Sequence, residues 1–318
     1  MSGLINWYLL YSRDSAPVRE GDYSLRQVKH DHTPYLILIP TIVFILLLTM
    51  FPMVYSLYNS MVDVNLLKPY LPPTFVGLGN YISLMQDTRF WNSVWNTLYL
   101  TLSTVAIEFI LGLGVALLLN REISGNRLTR TLILIPFMTT PVVVGLIWRF
   151  LYNYDLGIIN YFLRILHLPQ VLWLSDQSIA LKSVIIVDVW QWTPLVALIL
   201  LAGLQSLPLE PYEAAQVDGC STWQNFRYIT IPLLSPAILM VFLIRTMDAI
   251  KLYDLIYVLT EGGPGTSTET ISYYLYVIGF KLFYTGRAAA GSYILLVILI
   301  IISTLYIRFL RGQYKEQP

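Results

Sequence analysis

The chain has 318 residues, of which 56% are apolar and only 12% are charged. Its mean hydropathy of +0.62 is well above that of a soluble domain of this length. A net charge of +1 with three histidines provides no basic surface for a nucleic acid, and a single cysteine excludes an internal disulfide. The composition therefore predicts a protein that crosses the lipid bilayer several times.

Residues 1–33 are polar and are predicted to form a cytoplasmic N-terminal extension, whereas residues 34–318 are predicted to form one membrane domain. The extension has no short apolar segment ending in a small-residue cleavage site, so we expect no removable signal peptide. Six apolar runs follow, each close to the ~20 residues that cross ~30 Å of hydrocarbon. They are Tyr35–Tyr58, Trp95–Leu119, Leu132–Leu151, Ile179–Leu204, Leu233–Leu259 and Ala288–Leu310. This pattern predicts an all-α fold with six transmembrane helices.

Prolines and glycines inside three of these spans predict bent or closely packed helices, because they free backbone groups or let backbones approach. They are Pro40 and Pro52 in the first span, Gly112 and Gly114 in the second, and Pro136 and Pro141 in the third.

The distribution of lysine and arginine between the spans predicts the orientation of the chain. With the N-terminus inside, the cytoplasmic side has eleven such residues: Arg13, Arg19, Arg26, Lys29, Arg121, Arg127, Arg130, Arg227, Arg308, Arg311 and Lys315. The opposite side has five: Lys68, Arg89, Arg164, Lys281 and Arg287. We therefore expect both termini, and the polar insert between the fourth and fifth spans, to face the cytoplasm.

That polar insert, residues 205–232, contains the sequence EPYEAAQVDGCSTWQNFRYITIP. Gly219 can adopt the left-handed conformation that ends a helix. Ser221 and Gln224 have the spacing of a capping box that begins a second short helix, and Pro232 is expected to end it. The pattern predicts two short helices around a bend, which suits either a docking element or a plain loop that ties two membrane helices together.

The spacing inside the insert resembles the EAA loop of ABC importer permeases. Glu-Ala-Ala is followed at the family's distances by a glycine, an isoleucine and a proline, although Ile231 stands where the family usually has leucine. The resemblance implies a coupling helix held in a cleft of a cytoplasmic ATPase subunit. The residues that it assigns to ATPase coupling are Glu213, Ala214, Ala215, Asp218, Gly219, Phe226 and Pro232.

Charged side chains inside the predicted spans are costly in lipid and usually face the interior of a helix bundle or a water-filled cavity. The second span holds Glu108, the fourth holds Asp188, and the fifth holds Arg245, Asp248, Lys251 and Asp254. The last four alternate in sign at steps of three, so neighbouring members can meet along one helix. They form either a self-compensating ladder or part of a transport path, and we predict that Arg245, Asp248 and Lys251 contribute to a path.

The sequence after Asp188 combines aromatic rings with an amide, at Trp190, Gln191 and Trp192. Aromatic faces stack on the C–H faces of sugars, and amides bind their hydroxyl groups. An aromatic belt at the membrane surface, next to a proline kink, is an equally good interpretation of these residues alone.

Several segments are similar to maltose-type and glycerol-phosphate-type sugar ABC permeases: VWQWTP from Val189, DLIYVLTEGGP up to Pro264, YYLY from Tyr273 with Phe280, and GRAAA from Gly286. The resemblance implies a type I importer permease in the inner membrane of a bacterium or archaeon. It implies sugar contacts just before the Gly-Gly-Pro sequence, which by position are Asp248, Lys251 and Leu252.

The same resemblance implies the partners. They are a second, similar permease subunit in a heterodimer, two ATPase subunits and an extracytoplasmic solute-binding protein. The segment Thr266–Thr270 would lie outside, where the binding protein docks. ATP and Mg²⁺ would bind the ATPase subunits, and we expect no metal site or cofactor in this chain.

Two other classes remain as alternatives for a protein of this composition. An ion-coupled secondary transporter would use Glu108, Asp188 and the fifth-span charges as a proton relay, without partner subunits. An intramembrane enzyme would need catalytic motifs, but the chain contains no H-E-x-x-H, no G-x-S-x-G and no phosphate-binding G-x-x-x-x-G-K-S/T. We therefore expect a subunit that is not itself an enzyme.

Overall fold

The computed structural model describes residues 33–65, 67, 70, 72–121 and 126–315. The predicted N-terminal extension, apart from Thr33, and the predicted outer Lys68 lie outside the described residues. The chain divides into two compact units, residues 1–54 and residues 55–318.

The first spanning segment is helical from Thr33 to Ser60, as α1 (Thr33–Ile45), a π-helical turn (Leu46–Met50) and α2 (Phe51–Ser60). The π-helical turn ends two residues before Pro52, and the amide of Phe51 donates to the carbonyl of Leu46. A proline has no amide hydrogen and its ring collides with the preceding turn of a regular α-helix. The π-helical turn supplies room for that ring, so the helix continues past the proline.

After α2, a two-stranded antiparallel sheet pairs β1 (Val62–Asp63) with β2 (Thr74–Phe75). The register places Val62 opposite Phe75 and Asp63 opposite Thr74. Next, α3 (Gly79–Met85) holds this corner through buried Asn80, whose Nδ2 donates to the carbonyls of Ser60 (2.9 Å) and Val62 (3.0 Å).

The core of the second unit is built where α4 (Thr88–Leu119) packs against α9 (Ala180–Gln205), with α12 (Ile231–Ile250) beside both. Gly112 lies at this contact, because a Cβ atom there would be only 2.9 Å from the Cβ of Val196. The prediction of close packing is therefore confirmed for Gly112. It is wrong for Gly114, whose added Cβ would meet no atom within 4 Å.

The third predicted span, Leu132–Leu151, is not one helix. It is divided into α5 (Asn126–Ile133), α6 (Ile135–Met138) and α7 (Pro141–Leu151). Thr139 and Thr140 are extended, as the residue before a proline usually is. Because α7 has 11 residues, it covers only about 16 Å. Among the described residues, five helices are long and apolar enough to cross a membrane, and α7 is a shorter apolar helix.

The remaining elements follow in chain order. A short helix, α8 (Ile158–Ile165), lies between α7 and α9, and α10 (Glu210–Val217) and α11 (Thr222–Asn225) form the polar insert. A π-helical turn (Phe226–Thr230) joins α11 to α12. Then come α13 (Asp254–Leu259), α14 (Ile271–Tyr276), a third π-helical turn (Val277–Lys281) and α15 (Thr285–Lys315).

The fifth predicted span, Leu233–Leu259, also needs correction, because α12 ends at Ile250 and α13 begins only at Asp254. The two helices are separated by the break Lys251–Tyr253. The predicted steps of three along one continuous helix therefore stop before Asp254.

Candidate functional site

The polar insert is bent by its backbone at Gly219, as predicted. Gly219 has φ of +72°. The amide of Cys220 donates to the carbonyl of Ala215 (2.9 Å) and the amide of Gly219 to that of Gln216 (3.2 Å), which is the Schellman arrangement at a helix end. A Cβ atom at Gly219 would meet nothing within 4 Å. Backbone conformation, and not space within the chain, is therefore the reason for a glycine here.

The second half of the insert is capped as its sequence predicts. The amide of Ser221 donates to Oε1 of Gln224 (2.7 Å), and the amide of Gln224 donates to Oγ of Ser221 (3.3 Å). The two halves are also tied together, because the hydroxyl of Tyr212 donates to Oγ1 of buried Thr230 (3.1 Å). The insert is therefore a braced structure with both of its short helices fixed at the bend.

Pro232 does not end the second helix, which corrects the prediction. The π-helical turn before it leaves room for the proline ring, and the amide of Ile231 donates to the carbonyl of Phe226. The helix runs without interruption from Thr222 to Ile250, which is 29 residues and about 43 Å. The polar insert is thus the end of a rod that reaches across the core.

The surface of the insert is unusual for a protein in water. Glu213, Ala214 and Asp218 are exposed, whereas Ala215 is buried and Phe226 is half-buried. Large apolar side chains are exposed next to these residues, and Val217 reaches 88% exposure. The others are Leu209, Trp223 and Tyr228. Exposed apolar groups concentrated on one element are typical of a surface that binds another protein.

A second site lies in the middle of the core, where one arginine bridges two other helices. Arg245 of α12 donates from Nε to Oε2 of Glu108 (2.6 Å) and from Nη2 to Oε1 of Glu108 (2.8 Å). Its Nη2 also donates to Oδ2 of Asp188 (3.0 Å). All three side chains are fully buried. The network joins α4, α9 and α12, so Arg245 pairs with residues of other helices and not, as in the ladder alternative, along its own helix.

Aromatic and amide groups surround this network. The guanidinium of Arg245 lies 4.4 Å from the ring centre of Trp192, and that ring contacts Phe137 at 5.5 Å. Buried side-chain amides rarely lack a hydrogen-bond partner. Nε2 of Gln191 donates to the carbonyl of Thr139 (3.1 Å). The network is thereby connected to the broken third span. Oδ1 of Asp188 and Oε1 of Gln191 are buried acceptors with no hydrogen-bond partner among the residues that the structure describes.

The other predicted path residues divide into two groups. Asp248 and Lys251 are half-exposed and lie 3.5 Å apart, at the end of α12, with half-buried Leu252 beside them. Trp190 faces away, because its ring contacts Trp148 at 5.6 Å. Residues two positions apart on an α-helix point in directions ~200° apart around its axis. Trp190 and Trp192 therefore cannot line the same wall.

Sequence reasoning missed a cluster of stacked rings just after the break. Tyr253 contacts the rings of Tyr257 (5.6 Å), Tyr273 (6.1 Å) and Tyr276 (5.1 Å). Lys281 donates to the hydroxyl of Tyr273 (3.2 Å), and this hydrogen bond raises the pKa of the ammonium group. The tyrosine-rich composition on both sides of the Gly-Gly-Pro sequence was the available signal, but spacing alone does not show that the two segments meet.

At the opposite end of the core from the insert, α4 holds the connection between α13 and α14. Arg89 forms a two-pronged ion pair with buried Glu269, with both nitrogen–oxygen distances 2.7 Å. Nδ2 of Asn96 donates to the carbonyls of Thr266 (3.0 Å) and Glu269 (3.1 Å). Within the segment Thr266–Thr270, the side chains of 268–270 are buried against this clamp, whereas Thr266 and Ser267 are half-buried. The extracytoplasmic location of the segment stays a prediction. Glu261 and Gly265 are the exposed members of the connection.

Known proteins are similar to this chain over most of its length. Residues 108–313 match the sequence model of the family described as "Binding-protein-dependent transport system inner membrane component". The chain belongs to this family. The permease is 44% identical over 274 residues to "Probable ABC transporter permease protein y4oQ" of Sinorhizobium fredii, covering 86% of this chain and 88% of the relative.

Two further comparisons extend this result. The permease is 36% identical to "Trehalose/maltose transport system permease protein MalF" of Thermococcus litoralis, over 89% of this chain and 94% of the relative. It superposes on a chain of the bacterial alginate ABC transporter crystallised with an alginate-bound periplasmic protein, with a TM-score of 0.74 at 25% identity, covering 88% and 94% of the two chains. The predictions of an ABC importer permease and of its helical membrane fold are confirmed, and the secondary-transporter alternative is set aside.

The core network of the permease makes a prediction about stability. Arg245→Gln should destabilise the protein by about 3–5 kcal/mol, because it leaves two buried carboxylates without their cation. The matched control, Lys251→Gln, removes a half-exposed pair and should cost less than about 1 kcal/mol. The midpoint of thermal unfolding of the purified protein measures both. Equal, small shifts in the two variants would show that the network contributes no such stability.

Proposed function

We propose that this permease forms one half of the path through which an ABC importer moves a sugar or oligosaccharide across the inner membrane, driven by ATP hydrolysis in partner subunits. The observation that carries the proposal is the uninterrupted helix from the polar insert to Arg245. It gives a partner bound at one end a stiff connection to the charged centre of the core. Sugar transport is supported by relatives named for trehalose and maltose or for sulfoquinovosyl glycerol.

The polar insert is the element that binds the ATPase. Exposed Glu213 offers a carboxylate to an arginine or lysine of the partner, and a charge-assisted hydrogen bond of this kind is stronger than a neutral one. Ala214 lets the partner's backbone come close, and the bend at Gly219 presents Val217 and Trp223 to the same cleft. ATP and Mg²⁺ bind the ATPase subunits, two of which grip this insert and that of a second permease in a heterodimer.

The rod transmits the movement. When ATP closes the ATPase pair, the insert moves with its partner, and the helix from Thr222 to Ile250 moves as one body because the Tyr212–Thr230 hydrogen bond and the capping box brace its base. Arg245 carries this displacement to α4 and α9 through Glu108 and Asp188. Coupling between distant sites requires such a two-state mechanical element, and closure of a helix bundle against its partner is a known form of it.

The path runs past Trp192 and the end of α12, where Asp248, Lys251 and Leu252 lie. The ring of Trp192, fixed by Arg245 and Phe137, offers a flat face for a sugar, while Asp248 and Lys251 offer an acceptor and a donor for its hydroxyls. The tyrosine cluster around Tyr253 continues this surface beyond the break. An external solute-binding protein delivers the sugar, and both termini of the permease face the cytoplasm.

The ATPase-binding role of the insert predicts that Glu213→Lys or Gly219→Pro leaves membrane insertion intact but weakens assembly. We expect at least a tenfold loss of affinity for the ATPase subunits, since a charge-assisted hydrogen bond contributes about 1.5–3 kcal/mol. Proline at 219 cannot adopt a positive φ. Co-purification of the ATPase and its stimulated activity measure the effect.

Asp155→Lys is the matched control for Glu213→Lys, because it makes the same charge change on an exposed residue beyond the other end of α9. It should leave ATPase assembly unchanged. If both insert variants assemble and turn over ATP as the wild type does, the insert is not the coupling element.

The assignment of one face of α9 to the path predicts different effects for its two tryptophans. Trp192→Ala should raise the apparent KM for sugar uptake about fivefold, corresponding to the roughly 1 kcal/mol of a lost ring contact, without changing ATPase assembly. Trp190→Ala removes a ring on the opposite face and should raise it less. Uptake of radiolabelled trehalose or maltose by cells measures both, and the reverse order would place the path on the Trp190 side.

A further inference from the structure

The short helix α8 has two faces with different environments. Its inner face is fixed by Asn160, which is fully buried. Nδ2 of Asn160 donates to the carbonyls of Tyr154 (3.2 Å) and Val171 (3.0 Å), and its Oδ1 accepts from the amide of Val171 (3.2 Å) and Nε1 of Trp173 (3.1 Å). One side chain thus ties α8 to the chain on both sides of it, so the direction of its other face is fixed.

The outer face of α8 is an apolar stripe that the described part of the chain leaves exposed. Ile158, Tyr161, Phe162 and Ile165 repeat at the spacing of one helix face and are 47% to 55% exposed. Leu166 and Leu168 extend the apolar surface beyond the helix and are exposed to a similar degree. A contiguous apolar surface of this kind is unfavourable in water and therefore marks an interaction site.

The position of α8 indicates what covers the stripe. Only six residues separate Leu151, the end of the membrane helix α7, from the start of α8, so the stripe stays near the membrane boundary. It lies beyond the end of α9 opposite to the polar insert, because α9 connects the two. The exposed apolar side chains of α7, such as Ile147 and Phe150, lead directly towards it. The stripe therefore continues the surface that the membrane helices present to lipid.

A basic group beside the stripe complements a phospholipid. Arg164 is exposed, and its Nη2 donates a long hydrogen bond to the carbonyl of Asp155 (3.4 Å). A helix with aromatic and aliphatic residues on one face and a basic residue at the border is typical of one that lies in the interface of a bilayer. Tyrosine is also enriched at that depth.

We propose that α8 lies in the surface of the leaflet opposite the polar insert, with the Ile158–Ile165 stripe among the acyl chains and Arg164 at a lipid phosphate. The helix α7 is too short to cross the bilayer alone, and the stripe extends the apolar surface of the chain along the membrane boundary beyond the end of α7. The proposal concerns lipid alone and does not depend on the transported substrate or on the ATPase-binding role of the insert.

Site-directed spin labelling tests this in the assembled importer. The only cysteine, Cys220, is exposed and is replaced by serine; single cysteines then carry a nitroxide at Phe162, at Ile165 or, as the control, at exposed Asp155. The complex is placed in nanodiscs of phosphatidylcholine and phosphatidylglycerol. Collision rates are measured with oxygen, which concentrates in the bilayer, and with a water-soluble nickel chelate. We expect oxygen to exceed nickel at Phe162 and Ile165, and nickel to exceed oxygen at Asp155.

Two results would overturn the proposal. If nickel reaches Phe162 and Ile165 as readily as Asp155, the stripe lies in water. If neither reagent reaches them, a protein surface covers the stripe, from the second permease or the solute-binding protein. Arg164→Gln tests the headgroup contact. It should reduce the excess of oxygen over nickel at Phe162 in both lipids, and more in phosphatidylglycerol nanodiscs, whose headgroups have a net negative charge, than in pure phosphatidylcholine. An unchanged ratio in both lipids would exclude the phosphate contact.

Discussion

The fold depends on the pairing of Arg245 with Glu108 and Asp188. A buried ion pair gains little over an apolar contact of the same shape, but it is costly to break, because each charge is then left without compensation. Because of this asymmetry, the main effect of the network is to fix the positions of the three helices relative to one another. Rotation of α4, α9 or α12 about its own axis would separate at least one carboxylate from the guanidinium, whose two contacts with Glu108 and one with Asp188 fix its plane. Apolar helices that pack mainly by shape thereby acquire one defined arrangement.

The helix that carries Arg245 is continuous because its backbone accommodates Pro232. Both Pro52 and Pro232 come two residues after a π-helical turn, and in both places the residue between them donates to the first carbonyl of that turn. The wider ring of backbone accommodates the proline without ending the helix. The prolines in the third span have no such turn before them, and there the helix breaks at Thr139 and Thr140. A proline in a membrane helix is thus compatible with either a continuous helix or a break. A π-helical turn is one way to keep the helix continuous but not the only one, since the helices also run past Pro40, Pro194 and Pro236.

Local features of the structure could be predicted from the sequence, whereas contacts between distant residues could not. Features set by a few neighbouring residues were predicted, such as the bend at Gly219 and the capping box of Ser221 and Gln224, because their hydrogen bonds close within one turn. The class of protein was predicted from hydropathy and from a fixed spacing of residues. The partner of Arg245 was not, because Glu108 lies 137 residues away and competes with the nearby Asp248. The opposite directions of Trp190 and Trp192 follow from ~100° per residue and could have been predicted.

The break after Ile250 connects the central network to the clamp at the far end of the core. A helix that stops inside the membrane frees backbone carbonyls that need partners. The carbonyl of Leu252 accepts from Oγ1 of Thr270 (2.9 Å), and the adjacent Glu269 is held by Arg89 of α4. Leu252, just past the end of the rod, is therefore joined to the start of α4, while Arg245, about two turns earlier on the rod, is joined to Glu108 farther along α4. Two attachments to the same helix hold this end of α12 in a defined position against α4.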